Sequence, residues 1–308
     1  MAAKAGRPNY CVVSGACSVS HFDPEPDVQG TIARLFVYPV KSCGGVEVRE
    51  ALLTETGLDL DRAWLVVDAK GEFLTQRTLP RMTLIRPQIR TSEVVLRAPG
   101  MLALHLGTDT VEAPATATLW GETVPAWDMG SVAAQWFSDF LRQPCRLVRF
   151  DPEHQRLSSM LWTNGIKAPN QFSDGFPVLV VSEASMQDFN ARHAARGEAA
   201  VGVERFRPNV VIAGVQPHDE DRLDVIRLDV EDAQVQLQPV KPCARCPIPD
   251  VDPVTADTGS AVGETLRAYR QDRRLDGAIT FGMNAIVLQG AGRVLRVGQR
   301  FAANLRFE

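Results

Sequence analysis

Two thiols and two cations crowd one short run, Lys241-Pro242-Cys243-Ala244-Arg245-Cys246, with Pro247 and Pro249 just behind it. A thiolate is the nucleophilic and metal-binding form of cysteine, and nearby positive charge favours it by stabilising the anion. Three chemistries suit these residue types. Cys243 and Cys246 have the spacing of a redox dithiol, but such pairs open a helix within a strand–helix–strand unit, which is not the pattern around them. A nucleophilic cysteine wants a positioned base, and none of the five histidines, His21, His105, His154, His193 and His218, stands in a telling context. The third chemistry is ligation of a soft metal by one thiolate, the metal arriving in an anionic cofactor. The prolines predict a rigid loop from Val240 to Asp250, because they deny it helix and central-strand pairing.

Groups able to hold an anionic cofactor are scattered along the chain. Lys41-Ser42-Cys43-Gly44-Gly45 puts a cation and a hydroxyl just past a strand end, where the glycines allow close backbone approach. Arg62, Arg77 and Arg86 lie at or near strand ends. Ser173-Asp174-Gly175 is a turn with a free hydroxyl and carboxylate. Phe206-Arg207-Pro208-Asn209 presents a planar five-donor fork and a carboxamide at a strand entry. Each of these alone also reads as an ordinary turn bearing a surface charge.

Composition narrows the partners. The chain has 308 residues and a formal net charge of -4, so no global basic field recruits nucleic acid or an anionic membrane. Its longest apolar runs, such as Phe176 to Val181, are of strand length, and no membrane span is expected. Six cysteines in a chain of this length are not a secreted disulfide framework. No leader core is visible before Gly30, and a reducing, cytoplasmic compartment is expected. A structural zinc site would need a second closely spaced pair of ligands, which does not appear.

Residues 1–29 predict a disordered lead-in. Thr31 to Val40 opens the fold as a strand. Ala63 to Asp68 with Glu72 to Thr75, and Val94 to Arg97 with Leu102 to Leu106, predict hairpins. A helix capped by Ser131 should bury Val132, Ala133, Trp136, Phe137, Phe140 and Leu141, and Cys145 to Phe150 returns as a strand. A polar stretch, 151–171, marks a domain join. Phe176 to Val181 leads into a helix capped by Ser182. Val210 to Ala213 is a strand, and Asp224 to Asp229 with Ala233 to Val240 form a hairpin. After the thiol run, a helix over Val262 to Tyr269 and strands over Ala285 to Gln289 and Arg293 to Val297 complete the chain. Strands far outnumber helices, so the expectation is a mainly β protein of barrels or sandwiches with a few helices.

Taken together, Tyr38-Pro39-Val40-Lys41-Ser42-Cys43, Phe206-Arg207-Pro208-Asn209 and Lys241-Pro242-Cys243-Ala244-Arg245-Cys246 resemble the MOSC proteins that carry an N-terminal MOSC β-barrel domain. Asp252-Pro253 and Phe281-Gly282 also fit, and the likeness is strongest to the amidoxime-reducing components and their bacterial relatives. It runs from about Gly30 to the C-terminus. The resemblance implies two β-barrel-like domains, 30–150 and 151–308, holding a molybdenum cofactor (molybdopterin) between them. It implies Cys243 as metal ligand and catalytic residue, with Cys246 a structural neighbour. Lys41, Ser42, Arg62, Ser173, Asp174, Arg207 and Asn209 would bind the pterin and its phosphate. Pyridoxal phosphate binding is a further family-level association.

The implied activity is reduction of N-hydroxylated compounds, such as amidoximes, hydroxylamines and N-hydroxylated bases, to the parent amine or amidine. Because no ferredoxin domain follows the last strands and no membrane anchor is seen, electrons are expected from a separate electron-transfer protein. Asp250 and Asp252 are close enough in sequence to relay protons, but acidic loop residues are usually solvated and neither is assigned that role. The stretch from Asp252 to Gly259 is longer than the family pattern, which bears on substrate choice. A cofactor carrier or sulfur-transfer protein is the alternative, and a β-rich binding protein with a structural CxxC is a third reading.

Overall fold

Leu35 and Val37 alternate with Phe36 and Tyr38, and successive side chains of a strand point to opposite faces. One pair therefore packs with Val180, Ile212, Ile226, Leu237 and Phe301 in one core. The other joins Val181, Phe189, Phe206 and Phe281 in a second core, against the helices Glu183–Ala194 and Ala261–Arg267. This alternation on Val28–Val37 builds both layers of the larger half of the molecule. The computed structural model describes residues 25–230 and 233–307. The expected lead-in falls mainly on residues 1–24, outside the described residues, and the first strand starts at Val28, earlier than the expected Thr31.

Seven strands close into a barrel. In spatial order they are Val178–Ser182, Val210–Ala213, Val28–Val37, Arg300–Ala303, Ile226–Val230, Ala233–Ala244 and Ala278–Gln289, and the last pairs back to the first. Closure leaves no unpaired sheet edge. The barrel is not made by the second half of the chain alone. Val28–Val37 pairs with Val210–Ala213 on one side and Arg300–Ala303 on the other, and Glu50–Thr54 pairs with Val294–Arg296.

The smaller half contains a four-stranded antiparallel sheet, in the order Trp64–Asp68, Cys145–Phe150, Glu122–Asp128 and Ala113–Leu119. A three-stranded sheet of Arg86–Ile89, Glu93–Arg97 and Leu104–Gly107 and the helix Gly130–Leu141 share its core, through Val66, Leu96, Trp136 and Phe137. Each large apolar side chain fully buried there contributes roughly 1.5–3 kcal/mol. With 41% of residues in strands against 18% in helices, and three α-helices among the described residues, the protein is mainly β.

Several local expectations are corrected. The helix expected to be capped by Ser131 has its cap two residues earlier, at Met129, and the Gly130 amide donates to Asp128 Oδ1 at 2.7 Å. Its buried stripe is Ala133, Ala134, Trp136, Phe137, Phe140 and Leu141, and Val132 falls off it at 72% exposure. Glu72 to Thr75 is no hairpin strand and makes only isolated bridges, Val67 with Phe73 and Glu72 with Thr118. The strand expected from Ala285 starts at Ala278, and Arg300–Ala303 is an additional strand. The Ser182 cap is present, its side chain accepting from the Ser185 amide.

The largest correction concerns the thiol run. The rigid loop expected from Val240 is strand as far as Ala244, inside the barrel wall and paired with Ala278–Gln289. Its register shifts between Pro239 and Lys241 and again between Pro242 and Ala244. Such irregularities let proline, which has no N–H to donate, sit in a sheet interior, and they re-aim the neighbouring side chains.

Candidate functional site

All eight residues singled out in the sequence, Cys243, Lys41, Ser42, Arg62, Ser173, Asp174, Arg207 and Asn209, line one cavity of about 100 Å3. It lies at the seam: residues 41, 42, 62 and 77 come from the first third of the chain, and the rest from the barrel side. A cavity of about 220 Å3 shares Arg207 and Ile248 with it but has no cysteine in its lining, so only the smaller one brings a thiol to the cations.

Backbone contacts set the cation end. The Lys41 amide donates to Trp64 O at 2.9 Å and the Arg62 amide to Tyr38 O at 2.8 Å, which brings both side chains to the seam. Lys41 is buried, and its Nζ donates to Phe172 O at 2.7 Å and to Asp174 Oδ1 at 2.5 Å. Burial pushes this ammonium below the ordinary lysine range, with Asp174 offsetting part of the effect. Crowding by its neighbours disfavours the Asp174 carboxylate, though its side chain is 60% exposed, and Lys41, Arg77 and Arg62 outweigh that and hold it well below the usual carboxylate range.

Arg62 and Arg207 both lie over the Tyr38 ring, at 4.4 and 4.3 Å from its centroid. Arg62 is anchored by Asp61 at 2.5 Å and donates to Asn209 Oδ1 at 3.2 Å and to Arg207 O at 3.1 Å. Arg207 Nη1 donates to Cys43 O at 2.7 Å. Burial first, and the neighbouring Arg62 second, push the Arg207 guanidinium down to about 10. Ser42, Arg62 and Arg207 all have left-handed backbone, with φ of 68°, 51° and 57°. Non-glycine residues adopt that conformation at a cost, and such outliers gather where a site dictates geometry.

Two of the eight are committed elsewhere. Asn209 Oδ1 accepts from the Leu179 amide at 3.1 Å as well as from Arg62, and its Nδ2 donates to Phe36 O at 3.3 Å. Its carboxamide staples two barrel strands and orients Arg62. Ser173 Oγ donates to Asn170 Oδ1 at 3.0 Å, which leaves the hydroxyl oxygen free to accept.

At the thiol end Cys243 and Cys246 are partly exposed, whereas Cys43 and Cys145 are buried. Burial pushes the Cys43 thiol up to about 12, so it stays protonated. Arg245 Nη1 donates to Cys243 Sγ at 3.0 Å. Lys241, the other flanking cation, does not line the cavity, and its ammonium lies over the Trp162 ring at 5.2 Å. Asp250 and Asp252 are engaged in loop architecture: Asp250 accepts from the Gly263 amide at 3.0 Å, and Asp252 accepts from the Val254 amide at 2.7 Å and pairs with Arg205 at 2.7 Å.

Sequence reasoning assigned no site role to three arginines, noting Arg77 only at a strand end and Arg156 not at all. Arg77 lines the cavity and reaches Asp174 Oδ2 at 3.6 Å. Arg156 is buried and donates to Ser173 O and Gln171 O, both at 2.9 Å, which shapes the Asp174 turn. Arg245 was visible only as a charge beside the thiol. A cavity arginine and a surface arginine look alike in sequence.

The lining therefore holds Lys41, Arg62, Arg77, Arg207 and Arg245 against a single carboxylate, Asp174, in a protein whose net charge is -4. Arg207 Nη2 is buried without a hydrogen-bond partner. A buried donor left unmade costs about 1–3 kcal/mol or more for a charged group, and an anion in the cavity would recover it. Excess cation, an unpaired guanidinium donor and a partly exposed thiol fit a phosphate-bearing cofactor that carries a soft metal.

Residues 29–144 match the MOSC N-terminal beta barrel domain and residues 167–302 the MOSC domain. The chain is 36% identical over 282 residues to mitochondrial amidoxime-reducing component 1 of Homo sapiens, covering 86% of this chain and 80% of that protein. Mitochondrial amidoxime reducing component 2 of Homo sapiens is 34% identical over 254 residues, 78% of this chain and 72% of that protein. Molybdenum cofactor sulfurase of Danio rerio is 30% identical over 283 residues, 82% of this chain but 31% of that protein.

Proposed function

Given that the chain belongs to the MOSC-domain family that includes the mitochondrial amidoxime-reducing components, we propose that it is a molybdenum-cofactor-dependent reductase of N-hydroxylated compounds. The observation that carries this reading is the meeting of the Cys243 thiol with an excess of cations, the buried Lys41 and the half-buried Arg62, Arg77, Arg207 and Arg245, in one seam cavity. The net reaction converts R–NH–OH, two electrons and two protons into R–NH2 and water.

When bound, the molybdenum centre would supply the two-electron couple. Cys243 Sγ would be its protein ligand. Among the described residues no group of three or more His, Cys, Asp and Glu side chains is arranged to hold a metal ion, so the remaining ligands would belong to the cofactor itself. Arg207, with its unpaired Nη2, and Arg62 and Lys41 would hold the cofactor's anionic groups. Ser42 would add a hydroxyl contact, Ser173 Oγ could only accept from an N–H of the cofactor, Asp174 would keep the Lys41 ammonium in place, and Asn209 would hold Arg62 at its angle. Phe176, Leu179 and Phe206 line the same cavity and would exclude bulk water from the cofactor. Protons would arrive through solvent, since the nearby Asp250 and Asp252 are engaged in the loop.

The test is molybdenum and pterin content of protein purified from a cofactor-competent host, followed by reduction of benzamidoxime with an artificial electron donor. Stoichiometric molybdenum with turnover supports the proposal. Absence of molybdenum from folded protein would sink it, and bound molybdenum with no turnover of several N-hydroxylated substrates would favour a carrier or sulfur-transfer role. No helix among the described residues is long and apolar enough to cross a membrane. The electron source we propose is a separate protein donor.

A further inference from the structure

We propose that Arg245 is a positioning residue for the Cys243 sulfur, tying the thiol to the segment that carries the anion-binding cations; the proposal rests on Cys243 being the metal ligand. Arg245 donates from Nη1 to Cys243 Sγ at 3.0 Å and from Nη2 to Phe206 O at 2.7 Å. Phe206 is the residue before Arg207, whose own carbonyl accepts from Arg62. One guanidinium therefore spans from the sulfur to the cation end. Its position is set independently of the sulfur: the Arg245 amide donates to Ile279 O at 2.8 Å, and the guanidinium lies 5.5 Å from the Phe206 ring centroid.

Geometry makes arginine the residue for this task. The guanidinium holds its donors in a rigid plane, so fixing one prong on a backbone carbonyl fixes the direction of the other. A cysteine side chain otherwise chooses among three staggered rotamers, and the fork selects one of them. The Arg245 Nε is buried without a partner, so this side chain is not kept in place by full satisfaction of its own donors. A hydrogen bond from a cation also withdraws electron density from sulfur, which favours the more electron-rich, reduced state of a metal bound to it.

The experiment compares wild type, R245K and R245M, each loaded in a cofactor-competent host, by molybdenum content, midpoint potential, kcat and KM, and by a crystal structure of the cofactor-free R245M protein. Lysine keeps the charge but cannot serve both acceptors from one plane. We expect molybdenum content within about twofold of wild type and unchanged KM. The expected kcat falls by roughly 10-fold in R245K and roughly 100-fold in R245M, as for other residues that orient metal ligands. The midpoint potential should move negative in the same order, and Cys243 should occupy more than one rotamer in the cofactor-free variant.

Wild-type potential and kcat in loaded R245M overturn the proposal. So does loss of activity in strict proportion to lost molybdenum, which would make Arg245 a cofactor-retention residue. If R245M fails to fold, R245K decides, because wild-type potential and kcat there overturn the proposal equally. Wild-type protein without molybdenum would instead remove the underlying reading of Cys243, a failure visible before any variant is made.

Discussion

The two ends of the cavity are built differently. The cation end is assembled across the seam: Lys41 meets Asp174 across 133 residues of sequence and Arg62 meets Asn209 across 147. It has a buried lysine, Lys41, among half-buried arginines, is strained at three left-handed residues and is short of negative charge. The thiol end is more local, with Cys243 and Arg245 two residues apart on one strand and its irregular exit, and its sulfur is partly exposed. A grip made by both halves can hold a large anion only when the seam is closed, whereas a sulfur aimed by its own strand can meet a metal from one side. Retention and turnover should therefore be separable by mutation.

The sharpest test of that separation is Cys243→Ser. It should take benzamidoxime reduction below detection while leaving thermal stability near wild type, and Cys246→Ser should keep most of the activity. The opposite ranking would mean that the other thiol is the ligand.

At the cation end, Arg207→Gln removes charge-assisted hydrogen bonds worth about 1.5–3 kcal/mol each to a bound anion. Molybdenum retained after desalting should fall roughly 10- to 100-fold, with the residual loaded fraction turning over normally. Unchanged retention would break the assignment of this end to holding.

Gly282 stands next to Met283, which pairs with Pro242 beside the thiol. At φ +75° a side chain there would also meet Val180 O at 2.7 Å. Gly282→Ala should lower unfolding free energy by about 1–2 kcal/mol or more, read from denaturant midpoints. Turnover should suffer more than retention, since the disturbed strand seats Cys243.

The smallest effect expected is in pH dependence. The folded Asp174 carboxyl has a depressed proton affinity, so the unfolded state binds the proton more readily. Its contribution is present above the ordinary carboxylate pKa and is lost as pH falls through the lower folded value. Below about pH 4 the wild type should therefore lose melting temperature more steeply than Asp174→Asn, and parallel curves from pH 2 to 6 would contradict the Lys41–Asp174 coupling.

Much of the site was legible because it is written in residues with strong local constraints. Prolines, paired glycines and closely spaced thiols mark their own positions, while it was the family resemblance of their motifs together that grouped Lys41, Ser42, Arg62, Ser173, Asp174, Arg207, Asn209 and Cys243, which all line the same cavity. Most of the buried stripe of Gly130–Leu141 and the Ser182 cap were legible for the same reason, since a period of three to four and an N-cap hydroxyl are local signals, although Val132 and the Ser131 cap were misassigned. Arg77, Arg156 and Arg245 were not singled out as site residues, because what separates a cavity arginine from a surface one is its neighbours.

By itself the chain's order of residues determined the alternating strands, the mainly β character and the thiol run, because these follow from side-chain alternation, turn chemistry and spacing. Only the tertiary structure decided that Val28–Val37 is a barrel stave whose two neighbours lie 175–182 and 269–275 residues later, because antiparallel partners that distant leave no local mark on each other. It also decided that the proline-braced run is barrel wall rather than loop. Whether proline interrupts a sheet or sits at an irregularity depends on the register of the neighbouring strand, and that register is set by packing around the whole barrel.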